Sequence, residues 1–220
     1  MGLPFRVYSF GGSGSKYLVK KICDELNLRD YDRYHSHERS PSAKLLAEGG
    51  RAIFVYGEPI DAVMSFFARR ISRTSQHGYL PTDGSGNPLW AMLHCRNIGG
   101  RSQSINPSWD FKAYLKQSDD YFDLESFMRN WLELRIAQEI LFVRYESMWR
   151  ECPNIANFLG FDHGFVERFG TPKERRSRSS DLDSQTLKQA QAIYDPVRSL
   201  LNKLPDAFVL SDGQRKVFPN

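Results

Sequence analysis

Short apolar runs alternate with stretches of helical periodicity along this chain, and the alternation predicts strands and helices in turn. Residues 5–10 are aromatic and partly β-branched, whereas residues 51–56 and 140–144 are nearly continuous apolar runs. Runs of this length are typical of strands, and an apolar run without polar alternation indicates a strand buried on both faces, as in a parallel sheet. A weaker strand is predicted to end near His37.

Apolar residues at helical spacing predict helices between and after these strands. The first helix begins at Ser15, and another runs from Pro59 through Arg70. Further helices or helical turns are predicted at 44–48, 89–94, 127–139, 154–159 and 184–203. Strands that alternate with helices form parallel sheets with right-handed crossovers. We therefore expect an α/β fold of three layers around a central parallel sheet.

No repeat or boundary in composition divides the chain, so residues 1–220 are expected to form one domain. This length is enough for a full hydrophobic core. Residues 71–108 differ from the rest because Ser, Thr, Gly, Asn and Pro are dense there. A long stretch without regular structure inside a domain predicts a loop-rich insertion or lid.

Residues 11–16 read Gly-Gly-Ser-Gly-Ser-Lys and join the first predicted strand to the first predicted helix. A glycine-rich turn at a helix start directs backbone N–H groups at one point, where the helix dipole adds positive charge. Lys16 adds a full charge. The alternative is an ordinary tight turn with a serine cap, but three glycines, two serines and a lysine favour a site for phosphate or sulfate.

Polar clusters follow four of the predicted strands, at 11–16, 35–37, 57–65 and 145–146. The carboxyl ends of parallel strands lie at one edge of a sheet, and ligands of such sheets bind there. We therefore expect the four clusters to converge on a single active site.

Composition narrows the class of protein. A hydrophobic content of 40% fits a folded chain, and a net charge of +4 suits an anionic ligand without favouring nucleic acid as a partner. Cys23, Cys95 and Cys152 have no paired spacing, which argues against a disulfide framework or a zinc site. No apolar run approaches the length of a membrane span, and the first strand begins at residue 5, so we expect a cytoplasmic protein without a signal peptide.

Three stretches resemble the superfamily of sulfotransferases that use PAPS (3′-phosphoadenosine 5′-phosphosulfate), whose fold is like that of the P-loop NTPases. Residues 10–18, Phe-Gly-Gly-Ser-Gly-Ser-Lys-Tyr-Leu, resemble the 5′-phosphosulfate loop. Residues 53–65 resemble the 3′-phosphate segment, and residues 141–148 resemble a later strand that ends in Tyr-Glu-Asp-Leu. His35-Ser36-His37 lies where many members have Lys-Thr-His. The resemblance covers residues 5–70 and 131–162.

The resemblance implies a role for each matching residue. His37 matches the general base, with His35 as the second choice. Tyr17 would lie near the adenine, Ser65 would bind the 3′-phosphate, and Tyr145 would line the cofactor pocket. The residues that would hold the 5′-phosphate and the sulfuryl oxygens are Gly11, Gly12, Ser13, Gly14, Ser15 and Lys16.

The chain departs from the family at two positions that usually carry positive charge. Gly12 stands where a basic residue is usual, and Gly57 stands where an arginine is usual. Lys16 could compensate from within the loop, and Arg69 could do so from the predicted helix face that it shares with Ser65, four residues earlier. The basic stretch 173–178, which includes Arg176, lies where the family often has a late clamp for the 3′-phosphate.

The resemblance implies sulfuryl transfer from PAPS, with PAP as the product, to a hydroxyl or amine of an acceptor such as a carbohydrate. This chemistry mainly requires positioning and charge stabilisation, which Lys16 and the loop amides would supply without a metal. A histidine with an ordinary pKa of about 6.5 is largely neutral near pH 7, as a general base must be.

Two other functions stay open. A P-loop kinase or NTPase requires a hydroxyl directly after the lysine to hold Mg²⁺, whereas Lys16 is followed by Tyr17. A non-catalytic protein of the same fold, which binds a nucleotide or another polyanion, would explain the glycines at positions 12 and 57.

Overall fold

A computed structural model of the protein describes residues 3–48, 50–69 and 90–218. The fold is α/β, with a six-stranded, mostly parallel central sheet flanked by helices. The strands are β1 (Phe5–Tyr8), β2 (His35–Ser36), β3 (Arg51–Tyr56), β4 (Ile140–Arg144), β5 (Ala207–Ser211) and β6 (Gln214–Val217). Their order in the sheet is β2-β1-β3-β4-β5-β6. β2, β1, β3 and β4 pair in parallel, β5 pairs antiparallel with β4, and β6 pairs antiparallel with β5. The α/β class and the parallel pairing of the four predicted strands are confirmed.

The helices of the described residues follow the predicted pattern closely in the first part of the chain. They are α1 (Ser15–Glu25), α2 (Ala43–Glu48), α3 (Pro59–Phe67), α4 (Trp90–Asn97), α5 (Phe111–Leu115), α6 (Leu124–Leu132), α7 (Cys152–Leu159), α8 (His163–Phe169) and α9 (Ser184–Leu201). The predicted insertion at 71–108 lies partly outside the described residues, and its described part contains α4 and a 3-10 turn, Ser102–Ser104.

Two helix predictions are wrong in their extent. The helix that starts at Pro59 ends at Phe67, before Arg69. The helix predicted at 127–139 instead spans Leu124–Leu132, because the residues after it form an irregular connection to β4. The Gln138 side-chain amide holds this connection by donating to the carbonyl oxygens of Leu46 at 3.0 Å and Gly50 at 2.6 Å.

Contacts within the chain divide it into two units. The first unit comprises Met1–Gly57, Met128–Glu174 and Asn202–Asn220, and it contains the whole sheet. The second unit comprises Glu58–Phe127 and Arg175–Leu201. The expectation of one domain stays a prediction.

The sheet of the first unit is covered on both faces by apolar side chains. On one face, Val7, Ile53 and Leu141 pack in a buried cluster with residues of α1, α7 and α8. On the other face, the Trp131 ring lies 4.7 Å from the rings of both Tyr8 and Phe54. A fully buried side chain of this size stabilises the fold by about 1.5–3 kcal/mol. Burial on both faces explains the unbroken apolar runs of β3 and β4.

The sheet also contains a hairpin that the apolar pattern did not predict. β5 and β6 are joined by Asp212 and Gly213, whose φ angles are 48° and 73°. Positive φ at both central residues is typical of a type I′ turn, which matches the twist of the strands that it joins.

The thiols of Cys23, Cys95 and Cys152 are buried and form no disulfide. Burial raises the pKa of the Cys23 thiol to about 11 and that of Cys152 to about 12, so both stay protonated near neutral pH. Among the described residues, no helix is long and apolar enough to cross a membrane.

Candidate anion-binding site

The carboxyl edge of the parallel strands brings two of the predicted clusters together. Tyr8 of β1 and Ser36 of β2 are register partners, so the residues after them, Ser9 and His37, are neighbours. The Ser9 N–H donates to Ser36 O at 3.2 Å, and His37 Nδ1 lies 2.8 Å from Ser9 O. The register of two short strands thus places His37 beside the glycine loop.

The backbone of the loop has the geometry of an anion cradle. Gly11, Gly12 and Gly14 have φ angles of 90°, 63° and 72°, in the left-handed region that glycine adopts without strain. Helix α1 begins at Ser15, and among the described residues no side chain caps its N-terminus. The first N–H groups of a helix have no acceptor within it, and the helix dipole makes this end positive. This helix start therefore suits an oxyanion.

Two buried serine side chains connect the loop to the histidines. Ser15 Oγ lies 2.9 Å from Ser9 Oγ and 2.7 Å from His35 Nε2. Ser9 Oγ accepts from the Gly11 N–H at 3.2 Å and lies 3.3 Å from His37 Nδ1. The rings of His35 and His37 meet edge to face, with their centroids 4.4 Å apart. Ser9 and Ser15, with His35 and His37, therefore form one polar network, which we call the Ser–His network.

Hydrogen-bond chemistry fixes one proton position in the Ser–His network. A carbonyl oxygen only accepts, so the contact with Ser9 O assigns a proton to His37 Nδ1. In the neutral ring of His37 the lone pair then lies on Nε2, which is the basic nitrogen. Between Ser9 Oγ and Ser15 Oγ either hydroxyl can be the donor. When Ser9 donates, the proton of Ser15 is available to His35 Nε2 or to a ligand.

Tyr145 forms the side of the loop opposite the histidines. Its ring lies so close to Gly14 that a Cβ there would come within 2.0 Å of Tyr145 Cε2. The Tyr145 hydroxyl donates to Lys173 O at 3.1 Å. Three of the four predicted clusters, at 11–16, 35–37 and 145–146, are thus brought together within the first unit.

Tyr17 and Lys16 are directed away from the loop by other contacts. The Tyr17 hydroxyl donates to Phe169 O, and its ring lies 5.3 Å from that of Trp149. Lys16 Nζ pairs with Asp32 Oδ1 at 2.9 Å, and both side chains are exposed. The predicted roles of Tyr17 at an adenine and of the Lys16 ammonium at a phosphate stay predictions, and the Lys16 backbone N–H belongs to the helix start.

The remaining predicted site residues belong to the second unit. The Ser65 hydroxyl donates its proton to Ala62 O of its own helix at 2.7 Å. Arg69 lies beyond the end of α3, so the predicted helix face shared by Ser65 and Arg69 is wrong. Arg176 is exposed and lines a cavity of the second unit. The predicted contacts of these three residues with a 3′-phosphate stay predictions.

The basic stretch at 173–178 is partly fixed in place rather than fully solvated. Asp61 of α3 accepts from the Ser179 N–H at 2.6 Å, and Arg175 Nε lies 4.0 Å from its other carboxyl oxygen. The Arg175 and Asp61 side chains are each only 12% exposed. The aspartate that the resemblance placed in the 3′-phosphate segment therefore holds the chain that follows Arg175.

Ser9 is a candidate site residue that the sequence did not indicate. It is fully buried, and its hydroxyl and carbonyl contact Gly11, Ser15 and His37. Its position directly after the first strand, level with His37, was the available signal, because residues there line the ligand edge of a parallel sheet.

Among the described residues, no cluster of His, Cys, Asp and Glu side chains is arranged to hold a metal ion. Comparison with models of protein families gives no family that matches the chain, and comparison with curated proteins also gives no match.

Proposed function

We propose that this protein is a sulfotransferase, which moves a sulfuryl group from PAPS to a hydroxyl or amine of an acceptor such as a carbohydrate. One observation carries the proposal. An uncapped helix start behind a left-handed glycine loop lies beside a histidine pair at the ligand edge of the sheet. Together with the resemblance of the loop, this arrangement combines an oxyanion site with a base.

The donor groups of the loop fit phosphate and sulfate oxygens. They are backbone N–H groups at the start of α1 and the hydroxyl of Ser15. The Ser13 hydroxyl donates to Val55 O at 3.1 Å, so Ser13 offers its backbone N–H rather than its hydroxyl proton. Fixed N–H groups stabilise charge on an oxyanion without reorganising, which is the main requirement of group transfer of this kind.

When bound, PAPS supplies a sulfuryl group that is already activated by its bond to phosphate. His37 supplies the base, because its Nδ1 proton is held by Ser9 O and its lone pair lies on Nε2. It takes the proton of the acceptor hydroxyl. The tautomer of His35 depends on the ligand. If Ser15 donates its proton to a bound oxyanion, the hydrogen bond between Ser15 Oγ and His35 Nε2 requires that this nitrogen be the donor.

The first test is thermal unfolding of the full chain with PAP. A ligand at about 100 times its dissociation constant adds about 2.7 kcal/mol to the free energy of unfolding. Ser15→Ala removes a hydroxyl that would bond a charged group, so we expect about tenfold weaker PAP binding. Ser126→Ala, which changes an exposed serine of α6, is the matched control and should bind PAP normally.

The rival functions give different outcomes in the same titration. Stabilisation by ATP with Mg²⁺ and none by PAP would contradict the proposal and favour a kinase or NTPase. No response to either nucleotide, together with salt-sensitive binding of a polyanion, would favour a non-catalytic protein.

A further inference from the structure

The second unit contains a cavity whose lining includes no residue of the glycine loop or of the Ser–His network. It has a volume of about 390 Å³ and lies between α3 and the start of α5. Its apolar lining comes from Met64 and Phe67 of α3, from Phe111 of α5 and from Leu182. The Phe67 and Phe111 rings are 6.2 Å apart and inclined at 52°. We call this space the α3–α5 cavity.

The volume of the α3–α5 cavity is that of a small-molecule site. Ligand pockets occupy about 300–1,000 Å³. A protein cavity of about 150 Å³ holds benzene, so this space admits a body of about two aromatic rings. Because these apolar side chains share the lining with charged ones, we expect a ligand with an apolar body and a charged end.

The sign of that charge follows from the ion pairs around the cavity. Three lining cations, Lys112, Arg176 and Arg178, lie on the segments that border it. Lys112 pairs with Asp183 at 2.9 Å, and Arg178 pairs with Asp181 at 3.3 Å. Among the described residues, no carboxylate lies within ion-pair distance of Arg176.

One further lining carboxylate has to be considered. Asp110 caps α5, and its oxygen accepts from the Ala113 N–H at 2.7 Å. This carboxylate is engaged by the backbone N–H of Ala113, and its charge is balanced in part by the helix dipole. Arg176 is therefore the lining charge that is left for a ligand.

We propose that the α3–α5 cavity binds a small amphipathic anion, whose apolar body lies on Phe67, Phe111 and Met64 and whose carboxylate, sulfate or sulfonate pairs with Arg176. The guanidinium suits all three heads because it donates two parallel hydrogen bonds to such oxyanions. This inference does not rest on the proposed sulfuryl transfer, for which the resemblance also makes Arg176 a candidate ligand of the 3′-phosphate.

The test uses two fluorescent probes of the same shape. Anilinonaphthalene sulfonate has the apolar body and the anionic head, and phenylnaphthylamine has the body without the head. We expect the full-length protein to bind the sulfonate more tightly than the neutral probe. Arg176→Met keeps most of the apolar stem and removes the charge, so it should weaken the sulfonate about fivefold to tenfold and leave the neutral probe unchanged.

Two controls keep the result specific. Arg96→Met changes an exposed arginine of α4 that does not line the cavity, and it should bind both probes as the unchanged protein does. Ala68→Phe fills the cavity from its exposed rim at the end of α3, and it should weaken both probes.

Two outcomes would overturn the inference. One is equal loss of sulfonate affinity in Arg176→Met and Arg96→Met. The other is loss of sulfonate binding in Ser15→Ala with none in Arg176→Met and Ala68→Phe, which would place the probe at the glycine loop. Circular dichroism and thermal unfolding of each variant separate these outcomes from misfolding.

Discussion

Each serine hydroxyl has one proton, and the fold already uses the proton of Ser13, which donates to Val55 O. Ser9 and Ser15 share a contact in which either hydroxyl can donate. When Ser9 donates there, the Ser15 proton can move between His35 and a ligand. The sequence placed Ser13 and Ser15 in the loop, but only the three-dimensional arrangement separates their roles, because the partners of Ser13 and Ser15 are distant in sequence.

His37→Ala tests the assignment of the base. Removing a general base lowers the rate of transfer by about 10²–10⁴-fold, whereas PAP affinity should stay within about threefold because the loop is unchanged. Turnover of PAPS by the purified variant and a PAP titration measure the two effects separately. His163→Ala, which changes an exposed histidine of α8, should leave both unaltered. Normal turnover in His37→Ala together with loss in His35→Ala would assign the base to His35.

The carboxyl of Asp120 makes the stability of the protein depend on pH. Burial raises its pKa to about 6 from 3.8, even though the N–H groups of Phe122 and Leu124 donate to it. The native state therefore binds more protons than the unfolded state between about pH 4 and pH 6, and the free energy of unfolding falls as the pH rises through this range. The full effect is at most about 3 kcal/mol.

Asp120→Asn should flatten this part of the curve of unfolding free energy against pH, measured by urea denaturation at intervals of pH. Asp119→Asn is an informative comparison. The hydrogen bond from Arg101 lowers the pKa of Asp119, so that carboxylate stabilises the native state above its unfolded pKa and loses the effect as the pH falls. A curve for Asp120→Asn that keeps its slope between pH 4 and pH 6 would refute the assignment.

At the scale of elements, the apolar pattern predicted the strands best where burial is complete. β3 and β4 were predicted to the residue because every side chain from Ala52 to Tyr56 is buried. The β5–β6 hairpin was missed, although Asp-Gly between two short strands is a strong hairpin signal, because all side chains of β6 are exposed. The ends of α3 and α6 were misplaced because neighbouring segments, such as the one held by Gln138, decide where a helix stops.

Gly14→Ala, in the turn between β1 and α1, should lower the free energy of unfolding by more than the strain of its left-handed φ angle alone. The new Cβ would meet the Tyr145 ring at 2.0 Å, and the φ of 72° adds strain for any residue with a side chain. Gly160→Ala is the matched control, because its φ is 76° and nothing lies within 4 Å of its new Cβ. We expect about 1–2 kcal/mol of strain at Gly160 and at least about 1 kcal/mol more at Gly14, measured by urea denaturation. Equal losses of unfolding free energy in Gly14→Ala and Gly160→Ala would show that the Tyr145 ring moves away from the new Cβ without a measurable cost.

At the scale of the whole molecule, the order of the strands in the sheet predicts which of them are best protected against local unfolding. β3 and β4 are hydrogen-bonded on both sides and buried on both faces, whereas β6 is one of the two edge strands of the sheet and is exposed along its length. We expect amide exchange to be slowest in Ala52–Tyr56 and Leu141–Val143 and much faster in β6, measured by mass spectrometry or NMR. Protection of β6 equal to that of β3 would indicate that a further strand or partner covers the edge.

The exposed pair between Lys16 and Asp32 has a chemical consequence for the glycine loop. As long as the ammonium stays paired with Asp32, the positive end that faces an oxyanion consists mainly of peptide N–H groups. Peptide groups neither lose a proton in alkaline solution nor react with acetylating reagents, whereas free lysines deprotonate above about pH 10.4. Treatment that neutralises the lysines of this protein should therefore leave its affinity for a bound oxyanion largely intact, as long as the chain stays folded.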